Sequence, residues 1–230
     1  MMLGSRTAAW AKSGYTAKDY VQNGLVFQFD GIDNVGYGVH SDSITSPIDL
    51  TGNSVEYSHT GTLYAGVNFL HFDSSSDIYF SNDFVRDSDG RLTIEAYFEG
   101  DNKANSNMAF FMYAKNVVLS RTVMEIGSSY KRYYLGRVGT ISNPYSPIVF
   151  SCQNSSSPSG DDFYIRGKRY DGDFSISWEF SRVDYIRLRS ANSASGKLYY
   201  MRVYNRPLNA AEVAANYAID KARFNIPDAA

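Results

Sequence analysis

From residue 24 onward, apolar side chains return at every second position in one short run after another. In "GLVFQFDG" Leu25, Phe27 and Phe29 share a face. "RLTIEAYFEG" (91–100) puts Leu92, Ile94, Ala96 and Phe98 on one side, with Thr93, Glu95 and Tyr97 on the other. "DFSISW" alternates Phe174, Ile176 and Trp178 with serines, and "VDYIRLRS" alternates Ile186 and Leu188 with Tyr185, Arg187 and Arg189. A period of two is that of a pleated strand with one face on a core. "LHFDSSSDIYFS" (70–81) reads as strand, polar turn, strand. "MAFFMYA" and "NVVLSR" predict a hairpin through Lys115-Asn116, and "TVMEIG" and "RYYLGRVG" another through Ser128-Ser129. Asp171-Gly172 is a tight-turn dipeptide. Residues 33–54 and the serine-rich 151–162 carry no period and read as loops. There is no internal repeat. Many short alternating strands predict an all-β fold, a two-sheet antiparallel sandwich.

Composition supports a sizeable core. Of 230 residues, 43% are hydrophobic and 20% charged, and the high aromatic share of 15% favours strands. A net charge of −2 gives no pull toward nucleic acid or an anionic membrane, and no apolar run is long enough to span one. Cys152 is the single cysteine, so an intrachain disulfide is impossible. Residues 1–22 read as an arm, small and polar, with Trp10, Tyr15 and Tyr20 able to pin it either to its own domain or to a partner chain; 23–230 form the domain. The start has no apolar segment long enough for a secretory signal core, and the opening Met-Met favours a route without one.

The end of the chain is different. In "GKLYYMRVYNRPLNAAEVAANYAIDKARF" (196–224) a strand stops at Pro207 and a helix follows over 209–224. Asn209 is a favoured N-cap, and Glu212 sits where it can reach back to the cap's amide. Leu208 and Val213 have the spacing of a hydrophobic staple. The helix is mostly alanine and polar, which predicts a place on the sandwich rim, outside the core, with Asp220 and Arg223 as a surface pair.

These residues resemble the closing strand and helix of concanavalin A-like, laminin-G-like jelly-roll domains of the kind found in gut bacteria and their phages. In that kind, a strand ending in Arg-(aliphatic)-Tyr-Asn-Arg is followed by Leu, a capped helix and Glu. "GLVFQFDGIDNVGYG…IDLTGN" (24–53) resembles their opening strand and loop, and "LTIEAYFEG" their central strand. The resemblance implies two curved antiparallel sheets and a short C-terminal helix. It does not settle function, because this fold hosts lectins, hydrolases, adhesion modules and virion parts.

Hydrolases of this fold use two close carboxylates on one strand. Here Glu95 and Glu99 share a strand face but stand about 13 Å apart, too far for a retaining pair. His40, His59 and His71 belong to no nucleophilic triad motif. The expectation is therefore a chain that is not an enzyme. Asp87 and Asp89 in "RDSDGR" are the candidate ligands for a calcium ion at a sheet rim. Sugar binding would use exposed aromatics: Tyr37 and His40 in the first long loop, Tyr130, Tyr133 and Tyr134 in "SSYKRYYLGR", and Tyr145. An adhesion-like fold without a secretory signal points to a virion, whose parts fold in the cytoplasm and leave by lysis. The expected function is a phage structural protein that displays a lectin-like domain. Its partners would be other virion subunits, through the arm, and host or mucosal glycans, in a homo-oligomer or larger assembly. The alternative is a bacterial cell-surface carbohydrate-binding module.

Overall fold

The structure, a computed structural model, describes residues 14–53, 56–73, 75–85, 93–100, 107–113, 121–126, 131–134, 137–140, 148–153, 163–165, 167–169, 182–191 and 196–226. The described strands in chain order are β1 (Leu25–Asp30), β2 (Glu56–Thr60), β3 (Leu63–Ala65), β4 (Leu70–Phe72), β5 (Asp77–Val85), β6 (Thr93–Gly100), β7 (Asn107–Tyr113) and β8 (Arg121–Ile126). They continue with β9 (Lys131–Tyr134), β10 (Arg137–Thr140), β11 (Ile148–Gln153), β12 (Phe163–Ile165), β13 (Lys168–Arg169), β14 (Arg182–Ala191) and β15 (Gly196–Tyr204). One helix, α1 (Ala210–Phe224), follows.

Two antiparallel sheets result, so the chain is an all-β sandwich with a C-terminal helix, as the alternating runs predict. One sheet has eight strands in the order β13-β12-β11-β6-β15-β4-β3, with β1 also paired to β15; the other runs β10-β9-β8-β7-β14-β5-β2. Their inner faces meet through aromatic and aliphatic side chains. Phe27 on β1 and Phe80 on β5 have ring centroids 5.0 Å apart across the two layers. Leu70, Phe72, Ile94, Ala96, Leu198, Met201 and Val203 are all buried. Residues 116–120 of the "NVVLSR" run lie outside the described residues; β7 pairs with β8, which begins at Arg121 and carries the "TVMEI" segment. Strands β2 and β3 arise where the sequence shows no clear alternation.

β15 organises the eight-stranded sheet. Its first half pairs with β4 and its second half with β1, so these two strands lie end to end along one edge of it. Gly31 sits at the seam. A Cβ there would stand 2.3 Å from the Asn68 carbonyl oxygen, so no other residue fits. The backbone then leaves β1 as the long loop 31–53.

The helix begins as its sequence predicts. The Asn209 side chain accepts from the Glu212 amide, and the Glu212 carboxylate accepts from the Asn209 amide. Leu208 and Val213 pack in one buried cluster. Arg206 adds a two-bond fork onto Glu212, at 2.7 and 2.9 Å, and donates to the Asn23 carbonyl. Asn209→Ala is expected to cost about 1 kcal/mol, read as a lower urea midpoint with unchanged slope. At the other end Asn225 takes the left-handed conformation at φ 51°, which closes the helix.

The helix position corrects the expectation. It does not lie on the rim with a surface pair. It lies across the outer face of the eight-stranded sheet, and Asn216, Asp220 and Arg223 are on its buried side. Asp220 pairs with Arg202 on β15, and Arg223 pairs with Asp30 and Asp33. The polar positions of this helix are its docking face, because the sheet offers them buried charged partners.

Candidate ligand-binding surface

Five of the six exposed large apolar residues among those described belong to two adjoining segments. Tyr37, Val39 and Ile48 are on the loop 31–53, and Tyr64 and Val67 are on or beside the β3–β4 hairpin. The loop is held at three places. At its tip Asn34 and Ser41 exchange two hydrogen bonds, the Asn34 amide to the Ser41 carbonyl and the Ser41 N–H to the Asn34 side-chain oxygen. Between them a Gly36–Val39 bridge turns the chain and exposes Tyr37. Midway, the Ala65 N–H of β3 donates to the Ile44 carbonyl, which fastens the loop alongside the sheet edge. At its end Asp49 accepts from the Gln28 and Thr51 amides, and Asn53 donates to the Val26 carbonyl. A loop so tied presents its side chains at little entropic cost on binding.

On the hairpin, Tyr64 and His71 are cross-strand partners. Their rings stack with centroids 4.5 Å apart and planes 22° apart, and Tyr64 is 50% exposed. The row continues onto β15, where Lys197 is His71's partner and its ammonium stands 5.2 Å over the Phe69 ring. Tyr64 and His71 did not enter the sequence reading as binding residues. The signal was there: both alternate with Leu63, Leu70 and Phe72, so both must face away from the core.

The predicted residues separate. Tyr37 is half-exposed at the loop tip, and burial together with the nearby Asp49 charge raises its phenol above the usual value. His40 lies next to Ser41, with its Nδ1 on the Ile32 carbonyl and its Nε2 on Asp42 at 3.0 Å. Both ring nitrogens are engaged, so His40 positions the loop. Tyr133 and Tyr134 are on β9, in the other sheet from the hairpin. Tyr130, Tyr145, Asp87, Asp89 and Trp10 lie outside the described residues. Among the described residues no three His, Cys, Asp or Glu side chains are gathered as a metal site would need. Tyr15 is exposed, whereas Tyr20 is buried against its own domain.

Glu95, the strand carboxylate nearest to a catalytic reading, is instead part of a buried charge network. Arg202 is 1% exposed and forks onto Asp220 at 2.7 and 2.9 Å while its Nε donates to Glu95 at 2.8 Å. Its guanidinium lies between two tyrosine rings, 3.9 Å from the centroid of Tyr20 and 4.0 Å from that of Tyr200. Asn216 donates to Glu95 and to the Tyr204 hydroxyl, and accepts from the Val21 N–H. Arg223 donates to Asp30 at 2.6 and 3.1 Å and to the Tyr20 hydroxyl at 3.3 Å.

Four carboxylates thus face two guanidiniums. Burial, the larger influence, raises Glu95 and Asp30 above ordinary carboxylates, and Arg202 and Arg223 only partly offset it. A carboxylate raised by folding contributes stability below its unfolded pKa, and that contribution is lost as pH rises through the folded value. Glu95→Gln is therefore expected to stay within about 1 kcal/mol of the parent at pH 7, because the amide oxygen can still accept from Arg202 and Asn216. The comparison should move in the amide's favour between pH 4.5 and 7, measured by urea unfolding at each pH.

The sequence matches no family model and no curated protein. The fold is similar to solved structures. A Trypanosoma rangeli sialidase in complex with 2,3-difluoro-KDN superposes with a TM-score of 0.62 at 12% identity, covering 86% of this chain and 33% of that one. A botulinum neurotoxin type C structure, of a toxin that depends on two ganglioside molecules to get into cells, gives 0.59 at 10% identity, covering 86% and 51%. The receptor-binding domain of a C/D mosaic neurotoxin gives 0.59 at 8%. The chain spans about a third of the sialidases and half of the neurotoxin structures.

These likenesses correct one expectation. Carboxylate spacing suggested a chain that is not an enzyme, but sialidases at 11–14% identity stand among the similar structures. Missing one hydrolase family's strand motif is no argument against other chemistries carried on the same sandwich. At this identity the likeness shows the fold and establishes no activity here.

Proposed function

We propose that this chain is a glycan-binding display domain of the laminin-G-like kind, carried on a phage particle, with the loop 31–53 and the β3–β4 hairpin as its binding edge. The observation that carries the reading is the concentration of exposed aromatic and aliphatic side chains on these two segments. Sugars offer apolar ring faces and hydroxyls. Exposed tyrosine supplies a ring with a polar tip, and Asp42, Ser41 and Ser43 supply hydroxyl partners alongside. The fold's likeness to a sialidase described in complex with sialic acid, and to botulinum neurotoxin type C, described as depending on two ganglioside molecules, supports the choice of ligand class. The virion setting rests on the C-terminal motif's resemblance to phage and gut-bacterial domains. Weak single sites would suffice there, because many copies multiply avidity.

The test is capture of the chain, displayed in many copies on beads, by an array of immobilised glycans. Saccharide-dependent capture is expected, and Tyr37→Ala with Tyr64→Ala should reduce it by about tenfold or more. Capture by no glycan would overturn the binding reading. Absence of the chain from particles purified on a density gradient would overturn the virion setting alone.

A further inference from the structure

Within that binding edge, and resting on the glycan reading, the geometry points to one subsite. We infer that the outward face of the Tyr64 ring is a stacking platform for an uncharged pyranose, whose hydroxyls are read by the neighbouring loop carboxylate, Asp42. Among the described strands, β3 is the last of its sheet on that side. Cross-strand partners in a sheet stand about 5 Å apart, so two rings stacked at 4.5 Å stand upright from the sheet with parallel faces. His71 on the inner side therefore backs one face of Tyr64 and leaves the other turned toward the sheet edge. That face is preorganised, because the stack holds the ring in one orientation before any ligand arrives.

Beyond the edge runs the loop. Ala65, next to Tyr64, is bonded to Ile44, and Asp42 is only two residues from Ile44. Asp42 is fixed by His40, yet its side chain is 75% exposed, so its remaining oxygen lone pairs can accept from sugar hydroxyls. Ser41 and Ser43, hydrogen-bonded to each other, flank it. Lys197 is placed on the far side of His71, separated from the platform's open face by the histidine ring. Of the acidic side chains on loop 31–53, Asp33, Asp42 and Asp49, Asp42 is the nearest along the chain to Ile44, and the loop carries no Lys or Arg. A carboxylate accepts from hydroxyls and repels another carboxylate, which selects neutral over acidic sugars.

The experiment is the same bead-displayed chain on an array holding matched pairs of glycans, such as lactose and 3′-sialyllactose, with and without an acidic cap. Neutral glycans are expected to capture it more strongly. Tyr64→Ala should lose about tenfold of that capture and Tyr64→Phe should keep most of it, since the ring is retained. Asp42→Asn should narrow the gap between each neutral glycan and its acidic partner. Circular dichroism of each variant separates loss of binding from loss of fold. Stronger capture by the acidic members, or neutral capture indifferent to Tyr64→Ala, would overturn this subsite while the glycan reading stands. No capture by any glycan would overturn both.

Discussion

Replacing Arg202 with alanine is expected to lower stability by about 3–5 kcal/mol at pH 7, the usual cost of removing one partner from a buried ion pair. Asp220 and Glu95 would be left in the interior without their guanidinium, and Tyr20 and Tyr200 would face each other across a gap. Urea unfolding measures the loss. Its pH dependence is distinctive: the abandoned carboxylates favour the protonated form, so the deficit should shrink as pH falls from 7 toward 4.5. Arg202→Lys should recover only part of the loss, because an ammonium keeps the charge but not the fork or the flat face that stacks on tyrosine. A deficit below about 1 kcal/mol at pH 7 would mean that Arg202 is not holding the helix to the sheet.

The second large effect concerns the N-terminus. Removing residues 1–22 is expected to destabilise the domain by at least about 3 kcal/mol, the low end of deleting one buried large aromatic side chain. A chain lacking only residues 1–13 keeps the contacts of Ala17, Tyr20 and Val21 and should be the more stable of the two truncated chains. Residues 1–22 taken as an arm outside the domain 23–230 would be removable with the fold intact. The contacts argue otherwise. Tyr20 covers one face of Arg202, Val21 bonds Asn216 of the helix, and the Ala17 N–H donates to Asp33 at 2.6 Å. Gln28 on β1 donates back to the Ala17 carbonyl. Of the two partners left open for Tyr20, its own domain is the one that buries it. Equal stability of the two truncated chains by thermal melting would refute this.

The network also shows why some residues were legible and others were not. Asn209 and Glu212 act within four residues of each other, through geometry that any helix start provides, so sequence spacing was enough to find them. Asp220 and Arg223 also sit three apart, and spacing offered them to each other. Each instead found a partner far along the chain, because the register of β15 against β1 and β6 sets Arg202 beside Gln28 and Glu95 and faces them all toward the helix. No local pattern carries that information. Even "YNRPLN", the segment most like a known family, is structural: Arg206 holds the cap, and Thr93 bridges the Arg206 carbonyl and the Leu208 amide. A motif of that kind identifies a fold and says little about a ligand.

The candidate surface divides the same way. Tyr37 was legible because a tyrosine in an aperiodic, glycine-containing loop tends to be exposed. Tyr64 was not singled out, since its value depends on His71 arriving across the hairpin and on the loop lying beside β3. By itself the sequence determined two antiparallel layers and a capped terminal helix, because side-chain alternation and capping are short-range consequences of backbone geometry. Only the tertiary structure decided that the polar side of the helix is buried, and that a tyrosine stacks on a histidine at a sheet edge with the loop fastened alongside. Those outcomes depend on which strands become neighbours, and that choice is made by packing the whole chain at once.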